Sequence, residues 1–278
     1  MTDERTSSRY LHGVAPEEQR RLAVLNDLVN ESSLRALDLK GGERVLDVGA
    51  GLGQLTRAIA RAAGPAGSVL GIERSAEQIA EARRLAREDG EERLLEMRQG
   101  DVMELELAAG EWGSFDVAHA RFILEHVPDP LRVVRAMVRA VRVGGRIVLE
   151  DDDHDVLRLW PEPPGLMDLW RAYIQTYVRN GNDPCVGRKL VALLHAAGAA
   201  PARNAWLFFG GCAGDGRIDL FVRNLADILE GARDAILADG AVDRARFEAA
   251  IAATRAWGER PDAGFWFARC WAEGVRRE

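Results

Sequence analysis

The sequence predicts a doubly wound, mostly parallel α/β sheet, and three observations carry that expectation. Short apolar runs of strand character alternate with segments of helical period through the first 150 residues. A glycine loop, Gly49-Ala50-Gly51-Leu52-Gly53, follows directly on the first of those runs. The 278 residues are 47% hydrophobic and 29% charged, enough to bury the core such a sheet requires.

Residues 1–40 are expected to form an N-terminal helical segment, since Leu22, Leu25 and Val29 recur at helical spacing behind Pro16, which suits a first turn. Residues 41–150 read as an α/β half. Lys40-Gly41-Gly42 marks a turn, Arg44 to Val48 is a strand running into the glycines, and Leu55, Ala58, Ile59 and Ala62 share one helical face. Ser68 to Ile72 is a second strand, and Ser75 with Gln78 opens a helix carrying Ile79, Ala82 and Ala86. Leu94 to Arg98 is the expected third strand and Phe115 to His119 the fourth. Leu131, Val134, Met137, Val138 and Val141 form a helical stripe ended by Gly144-Gly145, and Arg146 to Glu150 is the fifth strand.

Beyond Glu150 the pattern changes to an acidic run, then to the Pro-rich WPEPPG, then to a helix with Leu166, Leu169, Trp170, Tyr173 and Tyr177 on one side. We expect residues 151–186 to be a helical cap inserted after the fifth strand. Residues 187–278 then close the α/β part and carry a pocket, with Gly187 to Ala197 helical and Ala205 to Phe209 and Phe265 to Trp271 as strands. Of the 18 aromatic residues, 14 follow residue 150, so the back half suits a flat or apolar contact, or packs its own core.

Net charge of -7 disfavours a partner bound through phosphates, so nucleic acid is not expected. Three cysteines, with no C-x-x-C spacing, suggest neither a disulfide framework nor a zinc ribbon and fit a reducing cytoplasm. No apolar stretch has the length of a membrane span, and no membrane partner is expected. Monomer and homodimer both remain open.

The loop spacing departs from the dinucleotide pattern G-x-G-x-x-G, because Gln54 stands five residues after Gly49 and Asp47 precedes the loop. A carboxylate there repels a pyrophosphate and favours a cationic amino-acid moiety. Glu73, at the end of the second strand, can accept both hydroxyls of a ribose. Asp101, after the third strand, can accept from an adenine amino group while Val102 or Met103 lies against the ring.

Together VLDVGAGLG, the strand-end Glu73, Gly100-Asp101-Val102 and FDVAHARFILEHVPDP from Phe115 to Pro130 resemble the motifs of class I S-adenosylmethionine-dependent methyltransferases. The resemblance covers roughly residues 40–150 and implies the Rossmann-like fold of that family, S-adenosyl-L-methionine as cofactor and S-adenosyl-L-homocysteine as product. It implies that Gly49, Ala50, Gly51 and Gln54 line the methionine end, that Glu73 binds the ribose, and that Asp101 and Val102 hold the adenine, with Arg74 and Gly100 also in the cofactor site. Backbone at Ala120 and Arg121 closes the site, and Tyr10, in a leading segment similar to that of some small-molecule members, covers the cofactor.

Methyl transfer is an in-line displacement, so positioning dominates and a base matters chiefly for a hydroxyl acceptor. His154, His126 and His119 are the candidate bases, His154 first. Trp170, Tyr173 and Tyr177 are the candidate acceptor contacts. Glu150 to Asp155 could be read as a divalent-metal site or a lure for an amine, but neighbours along a strand point different ways, and no metal is expected. The reading is therefore methyl transfer to a small aromatic or apolar acceptor. Its alternatives are an NAD-type oxidoreductase and a non-catalytic S-adenosylmethionine-binding protein on the same scaffold.

Overall fold

The computed structural model describes residues 29–238 and 240–278; Tyr10 and most of the helix expected behind Pro16 lie outside the described residues. Helix α1 covers residues 29–37. Strands β1 (Arg44–Val48), β2 (Ser68–Glu73), β3 (Glu96–Gln99), β4 (Phe115–Arg121) and β5 (Val141–Asp152) pair in parallel in the order β3-β2-β1-β4-β5. The order reverses between β1 and β4, which opens a crevice beyond their C-terminal ends.

The last part of the chain adds an antiparallel flank. Strand β8 (Gly264–Arg276) lies between β5 and β7 (Ala199–Cys212), while the short β6 (Arg158–Trp160) pairs with the start of β8. The helices α2 (Gln54–Ala63), α3 (Ala76–Glu88) and α4 (Pro130–Ala140) connect the parallel strands. Their starts follow local chemistry. Ser75 Oγ accepts from Gln78 N–H at the head of α3, and Asp129 does the same for Arg132 N–H ahead of Pro130 in α4.

Several expected boundaries move. Leu94 ends a 3-10 turn, and β3 begins at Glu96. Val141 opens β5 instead of closing α4, because it pairs with Phe115, and a bulge between Phe115 and Val117 takes up the extra residues. Gly144 and Gly145 thus sit inside a strand, where a Cβ on Gly145 would lie 2.8 Å from Arg142 O. Both late strands extend well past the predicted spans, since each supplies the other's ladder from Ala199↔Arg276 to Cys212↔Gly264.

Helix α5 (Leu166–Arg179) buries the predicted stripe, but against α7 (Arg217–Gly231), α8 (Arg233–Leu237) and α9 (Arg244–Gly258), sharing one core with Phe221, Leu225, Phe247 and Trp257. The helical cap therefore draws on both sides of residue 187. Helix α6 (Leu190–Ala196) packs instead into the core beneath the sheet, with α4. The 14 late aromatics divide by environment. Six line a cleft described below, Phe247, Trp257, Phe265 and Trp271 are buried, and Trp160, Trp206, Phe208 and Trp266 are exposed. Among the described residues no helix is long and apolar enough to cross a membrane.

Candidate cofactor and acceptor site

The glycine loop hangs from β1 at the crevice. Gly49 and Ala50 both donate to Ile72 O at 2.9 Å, which bends the chain across the end of β2. Gly49, Gly51 and Gly53 have φ of 77°, 54° and 68°, a conformation that a side chain would strain. A Cβ on Gly49 would also lie 2.0 Å from Ile123 Cδ1, so the loop presses against the segment after β4 as closely as glycine permits.

Around that loop is a cleft of about 190 Å³. Of the expected cofactor contacts, Asp47, Gly49, Ala50, Gly51, Gln54, Glu73, Arg74, Asp101, Val102 and Arg121 line it. Gly100 and Ala120 do not. Gly100 N–H is turned back to Glu73 O at 3.0 Å, and Ala120, 1% exposed, stays inside the sheet. Sequence reasoning missed Leu52, Leu55, Ser75, Gln78, Phe122, Ile123 and Val127. Of these, only the apolar pair directly after β4 had a legible signal, its position at a strand's C-terminal end.

Glu73 is held at the cleft by Gly51 N–H on Oε2 (3.0 Å) and Ser75 N–H on Oε1 (2.8 Å). Asp101 Oδ1 accepts from Met103 N–H at 2.8 Å, so one carboxylate oxygen anchors the turn at the cleft's lining. Asp47 is 3% exposed, its oxygens taken by His119 Nδ1 at 2.9 Å and Thr56 Oγ1 at 2.6 Å. Burial alone would raise the Asp47 carboxyl, but the bond and charge of His119 and the bond of Thr56 outweigh it and hold it below the usual range. His119 is fully buried and lines neither cleft, which removes it from the candidate bases.

This arrangement has a stability consequence. Asp47→Asn should destabilise the fold at pH 7 by about 1–3 kcal/mol, the range for an unpaired buried partner. Because the folded pKa is lowered, the difference is full above the ordinary carboxylate range and closes as pH falls through the folded value, which urea unfolding at a series of pH values would follow.

Arg121 is no surface charge. It lines the cleft while its guanidinium donates to Asn30 Oδ1 at 2.9 Å and Ser33 Oγ at 3.2 Å on α1. The next residue, Phe122, has φ of 55°, rare for a bulky side chain, and lines this cleft and a second one. His126 lines both as well.

The second cleft, about 120 Å³, carries Trp170, Tyr173 and Tyr177 together with Phe209, Phe221 and Phe267. His154 is stacked at 5.3 Å on Trp170 and 5.8 Å on Tyr173, and Trp170 Nε1–H donates to its carbonyl at 2.9 Å. Its Nε2 lies 3.0 Å from Glu125 Oε2, and His126 Nε2 lies 3.3 Å from Glu125 Oε1. Glu125, 4% exposed, was not singled out from the sequence.

The acidic run is not one solvated face. Glu150 is buried against Arg269, and Asp151 Oδ2 accepts from Leu124 N–H at 2.8 Å and Ile123 N–H at 3.2 Å. Asp153 and Asp155 both grip Arg188, at 2.6 Å each. Alternation along β5 splits the run between faces, leaving Asp152 with Glu125 and His154 at the second cleft.

A family model described as a methyltransferase domain matches residues 39–176, the stretch that builds both clefts' shared wall. Residues 39–176 form a methyltransferase domain. Over 211 residues the chain is 34% identical to a 37.1 kDa protein in transposon Tn4556 of Streptomyces fradiae, covering 70% of this chain and 56% of that one. It is 36% identical over 132 residues to a ubiquinone biosynthesis O-methyltransferase of Xanthomonas oryzae, covering 47% of this chain and 52% of that one. The chain thus spans little more than half the length of these curated relatives. In fold, it matches the crystal structure of a putative methyltransferase from Bacillus halodurans at a TM-score of 0.58 and 16% identity, covering 89% of this chain and 98% of that one.

Proposed function

We propose that this chain is an S-adenosylmethionine-dependent methyltransferase that methylates a small aromatic or apolar acceptor. One observation carries the reading: a glycine-lined cleft with Glu73 and Asp101 at strand ends adjoins an aromatic cleft across Phe122 and His126. Glu73 takes the ribose hydroxyls, Asp101 the adenine amino group, and the loop backbone the methionine end. Asp47 sets the negative field for the amino group through a network it already shares with His119 and Thr56.

Bound there, S-adenosylmethionine supplies an electrophilic methyl group. The chain's own part is to hold the acceptor in line and keep water away, which a wall of six aromatic side chains suits. The relative named for O-methylation in ubiquinone biosynthesis supports a flat acceptor. The acidic net charge supports a small molecule over nucleic acid, and the cysteine pattern supports a cytoplasmic setting.

Calorimetric titration tests the cofactor. S-adenosylhomocysteine is expected to bind with a micromolar Kd and NAD not at all. Binding of NAD without S-adenosylhomocysteine would replace this reading with the oxidoreductase one.

A further inference from the structure

We infer that His154 is the general base of a hydroxyl-methylating site, with Glu125 as the residue that positions it; this deepens the methyltransferase reading above and rests on it. His154 is 4% exposed and lines the aromatic cleft. Its Nε2 faces a carboxylate oxygen of Glu125 at 3.0 Å, and an ionised carboxylate only accepts, so this nitrogen carries the proton. Its Nδ1 is buried with no hydrogen-bond partner among the described residues. A buried ring nitrogen left bare by a fixed tautomer is the acceptor of a proton awaiting a donor, and a ligand hydroxyl is the group that supplies one.

The ring's surroundings support that state. Trp170 and Tyr173 from α5 stack on the ring and Tyr177 meets it edge-on, and burial lowers the imidazole pKa against the opposing charges of Asp152, Asp153 and Asp155. Arg188 engages Asp153 and Asp155, and the Asp152 carboxyl is itself pushed up by burial and then by Glu125. His126 shares Glu125 from its other oxygen. The neutral, proton-accepting form of His154 is therefore the one present at pH 7.

In the step, the acceptor oxygen bonds to the methyl carbon as the carbon–sulfur bond breaks and its electron pair stays on sulfur. The hydroxyl proton passes to Nδ1, and the imidazolium formed is held by Glu125 until water removes the proton. A thiolate or neutral amine acceptor has no use for this arrangement. The chemical class assigned to the cleft is thus a flat molecule bearing an ionisable hydroxyl, a phenol or catechol.

The experiment has two arms. In the full-length protein labelled with ¹⁵N-histidine and saturated with S-adenosylhomocysteine, long-range ¹H–¹⁵N spectra should show neutral His154 protonated on Nε2 at pH 7. A proton on Nδ1 would overturn the inference. In turnover, a panel of catechol, phenol, thiophenol and aniline acceptors should give activity on the hydroxyl compounds. His154→Gln should then lower kcat by about 100-fold or more, the range of a general base, with the S-adenosylhomocysteine Kd within about threefold. The acid limb of the kcat profile should vanish with it, and Glu125→Gln should lower kcat less. Turnover confined to the thiol or amine, or a His154→Gln enzyme with an unchanged pH profile, would overturn the assignment. So would loss of turnover with EDTA and broadening of the His154 signals by Mn²⁺, which would make Glu125, Asp152 and His154 metal ligands. A protein that binds no S-adenosylhomocysteine refutes the methyltransferase reading itself, separately from these outcomes.

Discussion

Replacing Arg269 by Met is expected to lower the unfolding free energy by about 3–5 kcal/mol, the cost of leaving one member of a buried ion pair without its partner. Arg269 and Glu150 are 1% and 0% exposed. Arg269 donates to Glu150 Oε1 and to Ser33 Oγ, and Ser33 Oγ donates in turn to Glu150 Oε1 at 3.0 Å. The cluster ties β8, β5 and α1 together at the wall of the second cleft, which Arg269 lines. With the guanidinium gone, Glu150 keeps one hydroxyl donor and sits in a medium that solvates a carboxylate poorly. Thermal unfolding should show Tm falling by roughly 10 °C for a chain of this size. The double variant Glu150→Leu with Arg269→Met should recover most of the loss, since an apolar pair carries no unpaired charge. A single-variant Tm within about 2 °C of the parent would mean that Glu150 is neutralised by another group, with Arg121, whose charge it also opposes, the candidate.

Glu73→Ala is expected to weaken S-adenosylhomocysteine binding by about 100-fold, close to 2.7 kcal/mol, as charge-assisted hydrogen bonds to two hydroxyls are lost. Part of that loss belongs to the loop. The carboxylate also holds Gly51 N–H and Ser75 N–H, so alanine frees the turn that shapes the cleft. Glu73→Gln retains one of the two loop bonds. It keeps an acceptor oxygen but no charge and should lose only about 10-fold. Calorimetry on the three proteins, with Tm followed alongside, reads both. A Glu73→Ala Kd within threefold of the parent would remove Glu73 from the ribose and, with it, the main support for the orientation proposed.

The cofactor cleft was legible because its parts are local. A strand, a run of glycines and a helix are consecutive in the chain, and the acids that follow β2 and β3 stand at strand ends that any parallel sheet brings to one edge. Asp47 was legible as an acid beside the loop, but its partner His119 is 72 residues away, so that it is a buried hydrogen-bonded hub was not. The acidic run shows a missed signal. Arg146 to Glu150 already reads as a strand, and carrying its alternation two residues further separates Asp151 from Glu150 and Asp152, as β5 does.

The aromatic cleft was legible in composition and not in place. Trp170, Tyr173 and Tyr177 share a helical face, which follows from spacing alone. That the face closes over His154, with Phe209, Phe221 and Phe267 arriving from strands and a helix up to about 100 residues later, depends on the packing of α5 against α7 and α9.

By itself the sequence determined the alternation of strands and helices, the glycine loop and the carboxylates at the strand ends, because period, conformational freedom and chain order are properties of neighbouring residues. Only the tertiary structure decided that β8 runs antiparallel between β5 and β7, that Glu150 meets Arg269, and that Glu125 meets His154. The two side-chain pairings join residues 119 and 29 positions apart. Their energies come from burial and low dielectric, which no local pattern encodes until the chain has closed around them.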